Sequence, residues 1–161
     1  MAIEIEHKYL VVNESYKHLE SDVIEIRQGY LSRNPQRTVR VRTWNQTGYL
    51  TVKGITRGSS RKEYEYEIPY KDALDMLMLC EPPIIHKCRH ILDYKGHRWE
   101  VDEFHGDLAP LITAEIELTS ENEEYVLPPF VGANVTGDPR YYNSALSASS
   151  KKSENANPNH S

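Results

Sequence analysis

Three ionisable residues open the chain at alternate positions: Glu4, Glu6 and Lys8 in "MAIEIEHKYL". In an extended strand successive side chains point to opposite faces, so these three share one side. The pattern recurs along the chain. Arg40 and Arg42 alternate with Val39 and Val41 in "TVRVRT", and Glu63, Glu65 and Glu67 alternate with Tyr64, Tyr66 and Ile68 in "KEYEYEIP". Glu100 and Asp102 oppose Trp99 and Val101, Glu115 and Glu117 oppose Ala114, Ile116 and Leu118, Lys87 and Arg89 flank Cys88, and "YLTVKG" carries Lys53. Carboxylate oxygens suit hard divalent ions, and magnesium is commonly held by one or two carboxylates plus phosphate oxygens. The arginine fork and the lysine point charge suit phosphate itself. Both sets on one parity describe a site for a metal-bound polyphosphate chain.

The ordinary meaning of such alternation in a single strand is a polar face in water. Taken together the strands say more, because each carries charges of mostly one sign. If the sheet closes, the carboxylate pairs of the first and last strands become neighbours. Like charges side by side repel. A cation between them, in a lumen shared with phosphate and water, resolves the conflict and leaves the apolar parity facing outward.

The elements that must position these residues read as eight strands: Ile3 to Val11, Ile24 to Ser32, Gln36 to Thr43, Gly48 to Gly54, Lys62 to Pro69, Ile85 to Tyr94, His97 to Phe104 and Leu111 to Thr119. Turn-forming stretches such as "RNPQ", "NQTG" and "YKGH" separate them. Eight strands suffice for a sandwich or a closed barrel. One helix stands out in "YKDALDMLML", where Leu74, Leu77 and Met78 recur at helical spacing before Pro82 and Pro83 end it. Asp138 followed by Pro139 caps a short helix in "GDPRYYNSALS", and Ser120 with Glu123 resembles a capping box. Residues 1–147 form one domain; residues 148–161 are almost without apolar content and read as a disordered tail.

At 161 residues the chain is one domain with a real core. A net charge of −5 and a pI near 5.8 argue against a general nucleic-acid or anionic-membrane binder. No apolar run approaches the ~20 residues of a membrane span. Cys80 and Cys88 lack metal or disulfide-scaffold spacing and are expected as free thiols in the cytoplasm. His86 and His90 have helical spacing inside a strand, so those two are not expected to form a zinc pair. Cys88 falls on the outward parity as an inert thiol, and His7 lies on the outer face.

The E-x-E-x-K of "EIEHKYL" is followed, in order, by "IRQGYLS", "TVRVR", "YLTVKG", "EYEYEIP", "WEVDEFHG", "AEIEL" and "YYNSAL". On this series the chain resembles the CYTH superfamily, also called the triphosphate tunnel metalloenzymes, over nearly its whole length to about Ser147. The resemblance implies an eight-stranded antiparallel β-barrel, open as a tunnel with a charged lumen and a few flanking helices. It puts Glu4, Glu6, Glu115 and Glu117 at two magnesium or manganese ions, with Asp102 or the pair Glu63 and Glu65 assisting. Lys8, Arg40, Arg42, Lys53, Lys87 and Arg89 would grip the phosphates. Tyr30 would pair with Lys8 in orienting or activating water, and Arg140 with the "YYNSAL" helix would close or line the tunnel.

The superfamily hosts several reactions on one barrel. A minimal tunnel without an appended helical domain or a nucleobase pocket favours an inorganic triphosphatase releasing orthophosphate. A class IV adenylate cyclase is the alternative, followed by thiamine, nucleoside and RNA 5'-triphosphatases; the acidic balance speaks against RNA. A non-catalytic polyphosphate-binding or nucleotide-binding module would keep the basic residues and lose the metal carboxylates, whereas this chain keeps both strand pairs. A homodimer is compatible with exposed apolar barrel walls.

Overall fold

In a computed structural model, residues 2–142 and 146 are described. The expected tail, and the helix expected from "YYNSALS" at residues 143–145 and 147, lie outside them. The strands are β1 (Ala2–Val11), β2 (Glu20–Ser32), β3 (Arg37–Trp44), β4 (Thr47–Gly54), β5 (Ser60–Ile68), β6 (Glu81–Tyr94), β7 (His97–Phe104), β8 (Ile112–Glu117) and β9 (Val131–Asn134). The α-helix α1 spans Tyr70–Leu77, and short 3-10 turns cover Ser15–His18, Gly106–Leu108 and Pro139–Tyr141.

Every strand pairing is antiparallel, in the order β5-β4-β3-β2-β6-β7-β8-β1, and β1 returns to β5 to close the barrel. One strand achieves closure by dividing its pairings. Ala2 to Ile5 pair with β5, while Glu6 to Leu10 pair with β8, so Glu4 faces Arg61 and Glu6 faces Glu117. The short β9 continues alongside β1 at Tyr9 and Val11. Tight connections keep the registers: the β6–β7 hairpin turns on Lys95 and Gly96, both at positive φ, the geometry that matches strand twist in two-residue hairpins.

Sequence and structure differ at five places. On α1 the buried residues are Ala73 and Leu77, whereas Leu74 and Met78 of the expected apolar stripe are exposed, because the helix lies on the barrel by its Ala73 side. β2 begins at Glu20 and β6 at Glu81, both earlier than expected. Pro82 and Pro83 therefore stand inside β6 instead of only ending the helix before it. They sit where the β2–β6 register slips between Gln28–Ile85 and Tyr30–Glu81, a bulge that has no use for their missing N–H groups. The expected cap at Ser120 is shifted by one residue: Glu123 accepts from the Thr119 N–H at 2.7 Å and from its hydroxyl at 2.8 Å, and closes a turn rather than a helix. Four-residue β9 carries no alternation long enough to read.

The apolar core lies mainly outside the barrel. On the outer face of β1, β6, β7 and β8, Tyr9, Leu92, Trp99, Val101, Ala114 and Ile116 pack beneath Tyr16 of the 3-10 turn and Phe130 before β9. Trp99 is fully buried, with Tyr9 at 5.8 Å and Phe130 at 6.4 Å between ring centroids, the tilted and edge-on geometries that aromatic pairs prefer. A second layer seats Ala73 and Leu77 of α1 on Val41 and Leu50. Inside, one flank of the lumen is plugged: Ile24, Ile26 and Gln28 share the inward face with Arg89, Lys87 and Arg42, their cross-strand partners, and all are buried.

The outer layer holds the wall that carries the inward charges, so its loss should be felt globally. Trp99→Ala is expected to lower stability by about 3–5 kcal/mol in urea unfolding.

Candidate active site

The unplugged half of the lumen forms a cavity of about 260 Å³ lined by seven glutamates and six cationic side chains. Its acidic wall is Glu4 and Glu6 of β1, Glu115 and Glu117 of β8, Glu100 of β7, and Glu63 and Glu65 of β5. The basic lining is Lys8, Arg40, Arg42, Lys53, Arg61 and Arg89. The register explains the gathering, because directly paired residues on neighbouring strands share a face. Glu6 opposes Glu117, Lys8 opposes Glu115, Glu100 opposes Glu115, and Lys53 opposes Glu63.

The carboxylates are not equivalent. Burial, then Glu115 and Glu4, push Glu6 well above the usual carboxylate range, and it shares a hydrogen bond with Glu115. Burial also works against ionised Glu115, but Lys8, the bond from Glu6 and Arg89 pull it down to about 2. Across their shared hydrogen bond the two carboxyls are thus shifted in opposite directions, Glu6 up and Glu115 down. Glu117 is raised by burial and by Glu4, Glu63 and Glu100, and Glu63 by burial and Glu4. Burial opposes Glu4 too, yet Lys53, with Nζ 3.1 Å from both carboxylate oxygens, and Arg61 at 3.4 Å hold it below its ordinary value.

Among the described residues, two of the lining cations keep donors without an acceptor. Arg40 and Arg42 reach Glu65 at 3.6 Å and 3.5 Å, and among the described residues their buried Nε atoms have no hydrogen-bond partner. Burial and the proximity of Arg40 and Arg89 bring the Arg42 guanidinium down to about 9. Arg42 and Arg89 both lie over the Trp44 ring, at 5.3 Å and 5.6 Å, which orients their planes. Lys8 Nζ donates to the Tyr141 carbonyl at 2.8 Å.

Three sequence candidates sit behind this lining. Asp102 is 1% exposed, and its carboxylate accepts from Arg89 at 2.7 and 2.9 Å and pairs with Lys87 at 2.7 Å. Burial disfavours its charge, but Arg89 and Lys87 outweigh that and hold it far below the carboxylate range. Lys87 is fully buried, and burial lowers its ammonium even though Asp102 pulls the other way. Tyr30 is 3% exposed, its hydroxyl accepts from Gln28 Nε2 at 3.3 Å, and burial raises its phenol further. Arg140 is exposed and folds back on Asp138 at 2.6 Å.

Sequence reasoning missed Arg61, Trp44 and the part of Glu100 in the cavity. Their signal was present: Arg61 continues the parity of Glu63 and Glu65, and Trp44 that of Arg40 and Arg42. The remaining lining, Thr56, Gly58, Ser59, Val135 to Gly137 and Tyr142, comes from loops with no such periodicity.

Cation fit follows from the donor set. Glutamates outnumber cations by one, so a polyanion entering this nearly balanced cavity needs companion cations. Among the described residues no three of the carboxylates gather around one point as a finished cage. Hard ions that take one or two carboxylates and complete their shell with phosphate oxygens fit such a wall.

Fold and lumen together define a closed antiparallel barrel whose tunnel is built for a polyanion. The chain belongs to the CYTH domain family, whose model matches residues 2–142. An inorganic triphosphatase of Acetivibrio thermocellus is 50% identical over 147 residues, spanning 91% of this chain and 94% of that protein. One of Nitrosomonas europaea is 34% identical over 150 residues, spanning 91% and 97%. Among solved structures, the crystal structure of the inorganic triphosphatase NE1496 superposes with a TM-score of 0.64 at 31% identity, covering 89% of this chain and 97% of that one.

Because Asp102 is the anion between two buried cations, removing its charge leaves Lys87 uncompensated and Arg89 with Glu100 alone as its ion-pair partner among the described residues. Asp102→Asn is expected to cost about 3–5 kcal/mol of stability at neutral pH. Its folded pKa lies below the unfolded one, so this contribution is present above about pH 4 and fades on acidification. Urea titrations of wild type and variant at neutral and acidic pH should converge as the pH falls.

Proposed function

We propose that this chain is a divalent-metal-dependent inorganic triphosphatase that releases orthophosphate from triphosphate. The observation that carries the reading is the facing of the β1 and β8 glutamates by Arg40, Arg42, Lys53 and Arg89 across one cavity. The two inorganic triphosphatases similar to it over nine tenths of its length support the choice among phosphate substrates.

Glu4, Glu6, Glu115 and Glu117 would hold magnesium or manganese, with Glu63 and Glu100 near enough in the cavity to assist. When bound, such ions neutralise phosphate oxygens and lower the pKa of a coordinated water. The remaining work belongs to the chain. Arg40 and Arg42 offer their buried, unpartnered Nε donors to phosphate oxygens, and Trp44 keeps the Arg42 and Arg89 planes fixed. Phosphoryl transfer asks chiefly for positioning and charge neutralisation, and rigid guanidinium groups on strands supply both. Lys53 stands between the two sets, neutralising Glu4 and reaching the phosphate side.

Lys8 fits an orienting donor, because Tyr141 fixes its ammonium beside Glu115. Tyr30 suits a supporting part behind it: burial moves its phenol away from ionisation, which disfavours a role as general base. Asp102 is better assigned to holding Arg89 and Lys87 than to a metal, since both its oxygens are engaged. Lys87 then acts as a buried counter-charge below the phosphate site.

The two free thiols and an acidic surface accord with a cytoplasmic protein. Among the described residues no helix is long and apolar enough to cross a membrane. Ile3, Val52, Tyr64 and Tyr66 leave exposed apolar area on the barrel wall, a surface suited to the expected homodimer.

The test is a product assay with magnesium or manganese, offering inorganic triphosphate, ATP and thiamine triphosphate. Orthophosphate released fastest from triphosphate is the expected outcome; cyclic AMP with pyrophosphate, or binding without turnover, would overturn the assignment. Glu117→Gln should lower turnover by about two orders of magnitude while the metal-free protein keeps or gains melting temperature, because a repelling carboxylate is gone. Full activity in this variant would remove Glu117 from the metal site.

A further inference from the structure

The outer wall of the barrel carries a second group of donor side chains, softer in chemistry than those of the lumen. Glu25 on β2 is the cross-strand partner of Cys88 on β6, and His86 shares the face of Cys88 two residues away. His105, just past β7, lies beside His86, to whose carbonyl its N–H donates at 3.0 Å. Two pairs result. His105 Nε2 lies 3.3 Å from Cys88 Sγ, and His86 Nε2 lies 3.0 Å from Glu25 Oε2. The two imidazole rings adjoin at 4.9 Å between centroids, and a cavity of about 240 Å³ opens against them.

Both contacts are hydrogen bonds, and their lengths lie close to the separation of two ligands on one ion. With metal bonds of about 2.0–2.3 Å, neighbouring nitrogen, oxygen and sulfur ligands of a tetrahedral centre stand about 3.3–3.6 Å apart. Each pair already meets that separation to within a few tenths of an ångström. Among the described residues no three donors yet surround a common point, so binding must bring the pairs together by side-chain rotation. The side chains of His86 and Glu25 are 36% and 51% exposed, and Glu25 would exchange its solvent-exposed ion pair with Arg27 at 3.3 Å for the metal. Glu103 is not counted as a ligand, because the Tyr16 hydroxyl and His90 already engage it.

We propose that His86, Cys88, His105 and Glu25 bind one divalent transition-metal ion of the zinc type on the outer face of β2, β6 and β7. Two imidazoles, a thiolate and a carboxylate suit a borderline-soft ion, whereas the all-oxygen lumen suits a hard one. On binding, the Cys88 S–H bond breaks, its proton leaves to solvent, and the sulfur electron pair forms the bond to the metal; no redox change occurs. The ion clamps three strands from behind the segment that presents Lys87 and Arg89 to the lumen.

Cobalt(II) is the probe, because only a sulfur ligand gives the intense thiolate-to-cobalt charge-transfer band, which the carboxylate lumen cannot produce. Titrating the full chain under reducing conditions should raise this band to saturation at one ion per chain, with zinc displacing it. Cys88→Ser should abolish the band, and His105→Ala should weaken cobalt binding at least about tenfold. Glu117→Gln, altered only in the lumen, should retain it. His105 is exposed, so its variant tests the site even if Cys88→Ser folds poorly. No charge-transfer band in the wild type, or a band that survives in folded Cys88→Ser and in His105→Ala, would overturn the proposal.

Discussion

Glu6, Glu115 and Glu117 are forced together by the closure of the barrel, and the rest of the molecule accommodates that repulsion. β1 must lie between β5 and β8 for the sheet to close, and the register then sets Glu6 against Glu117. The conflict shows in the opposed shifts of the pair, Glu6 raised by burial and its acidic neighbours and Glu115 lowered, against its burial, by Lys8 and the bond from Glu6. A cation bound beside these carboxylates would relieve that repulsion. Nearby Lys53 and Arg61 prevent Glu4 from adding fully to the conflict.

A lumen given over to charge cannot supply the hydrophobic core, so the core moves outside. Trp99, Ile116 and Tyr9 pack on the outer wall beneath Tyr16 and Phe130, and α1 covers Val41. Each strand thus carries function on one parity and stability on the other. Asp102 joins the two, since its bidentate hold on Arg89 fixes a cavity-lining cation from the plugged side of the barrel. Ordered guanidinium groups with no fully satisfying partner are preorganised for an anion and need little rearrangement when one arrives.

Much of this was legible because strand parity is a rigid rule. The inward set of Glu4, Glu6, Lys8, Arg40, Arg42, Lys53, Glu115 and Glu117 follows from period-two alternation alone, and six of the eight strands begin and end within a few residues of their expected limits; β2 and β6 each start four residues earlier, at Glu20 and Glu81. What alternation cannot give is depth along the tunnel. Asp102 and Lys87 share the inward parity with Glu100 and Arg89, yet they lie below the cavity and neutralise each other. Tyr30 likewise faces inward but is buried under the lining. The plug of Ile24 and Ile26, the prolines inside β6 and β9 were illegible for a related reason: each depends on which strands become neighbours, not on any local pattern.

The central claim is that the glutamate wall and the cationic wall form one site, occupied jointly by metal and triphosphate. Manganese(II) binding to the purified protein, followed by electron paramagnetic resonance with and without a non-hydrolysable triphosphate analogue, tests it most directly. Joint occupancy requires each ligand to raise the other's affinity, by about tenfold or more, and requires Glu115→Gln to abolish the gain. Manganese affinity that ignores the analogue, or coupling that survives in Glu115→Gln, would contradict the account.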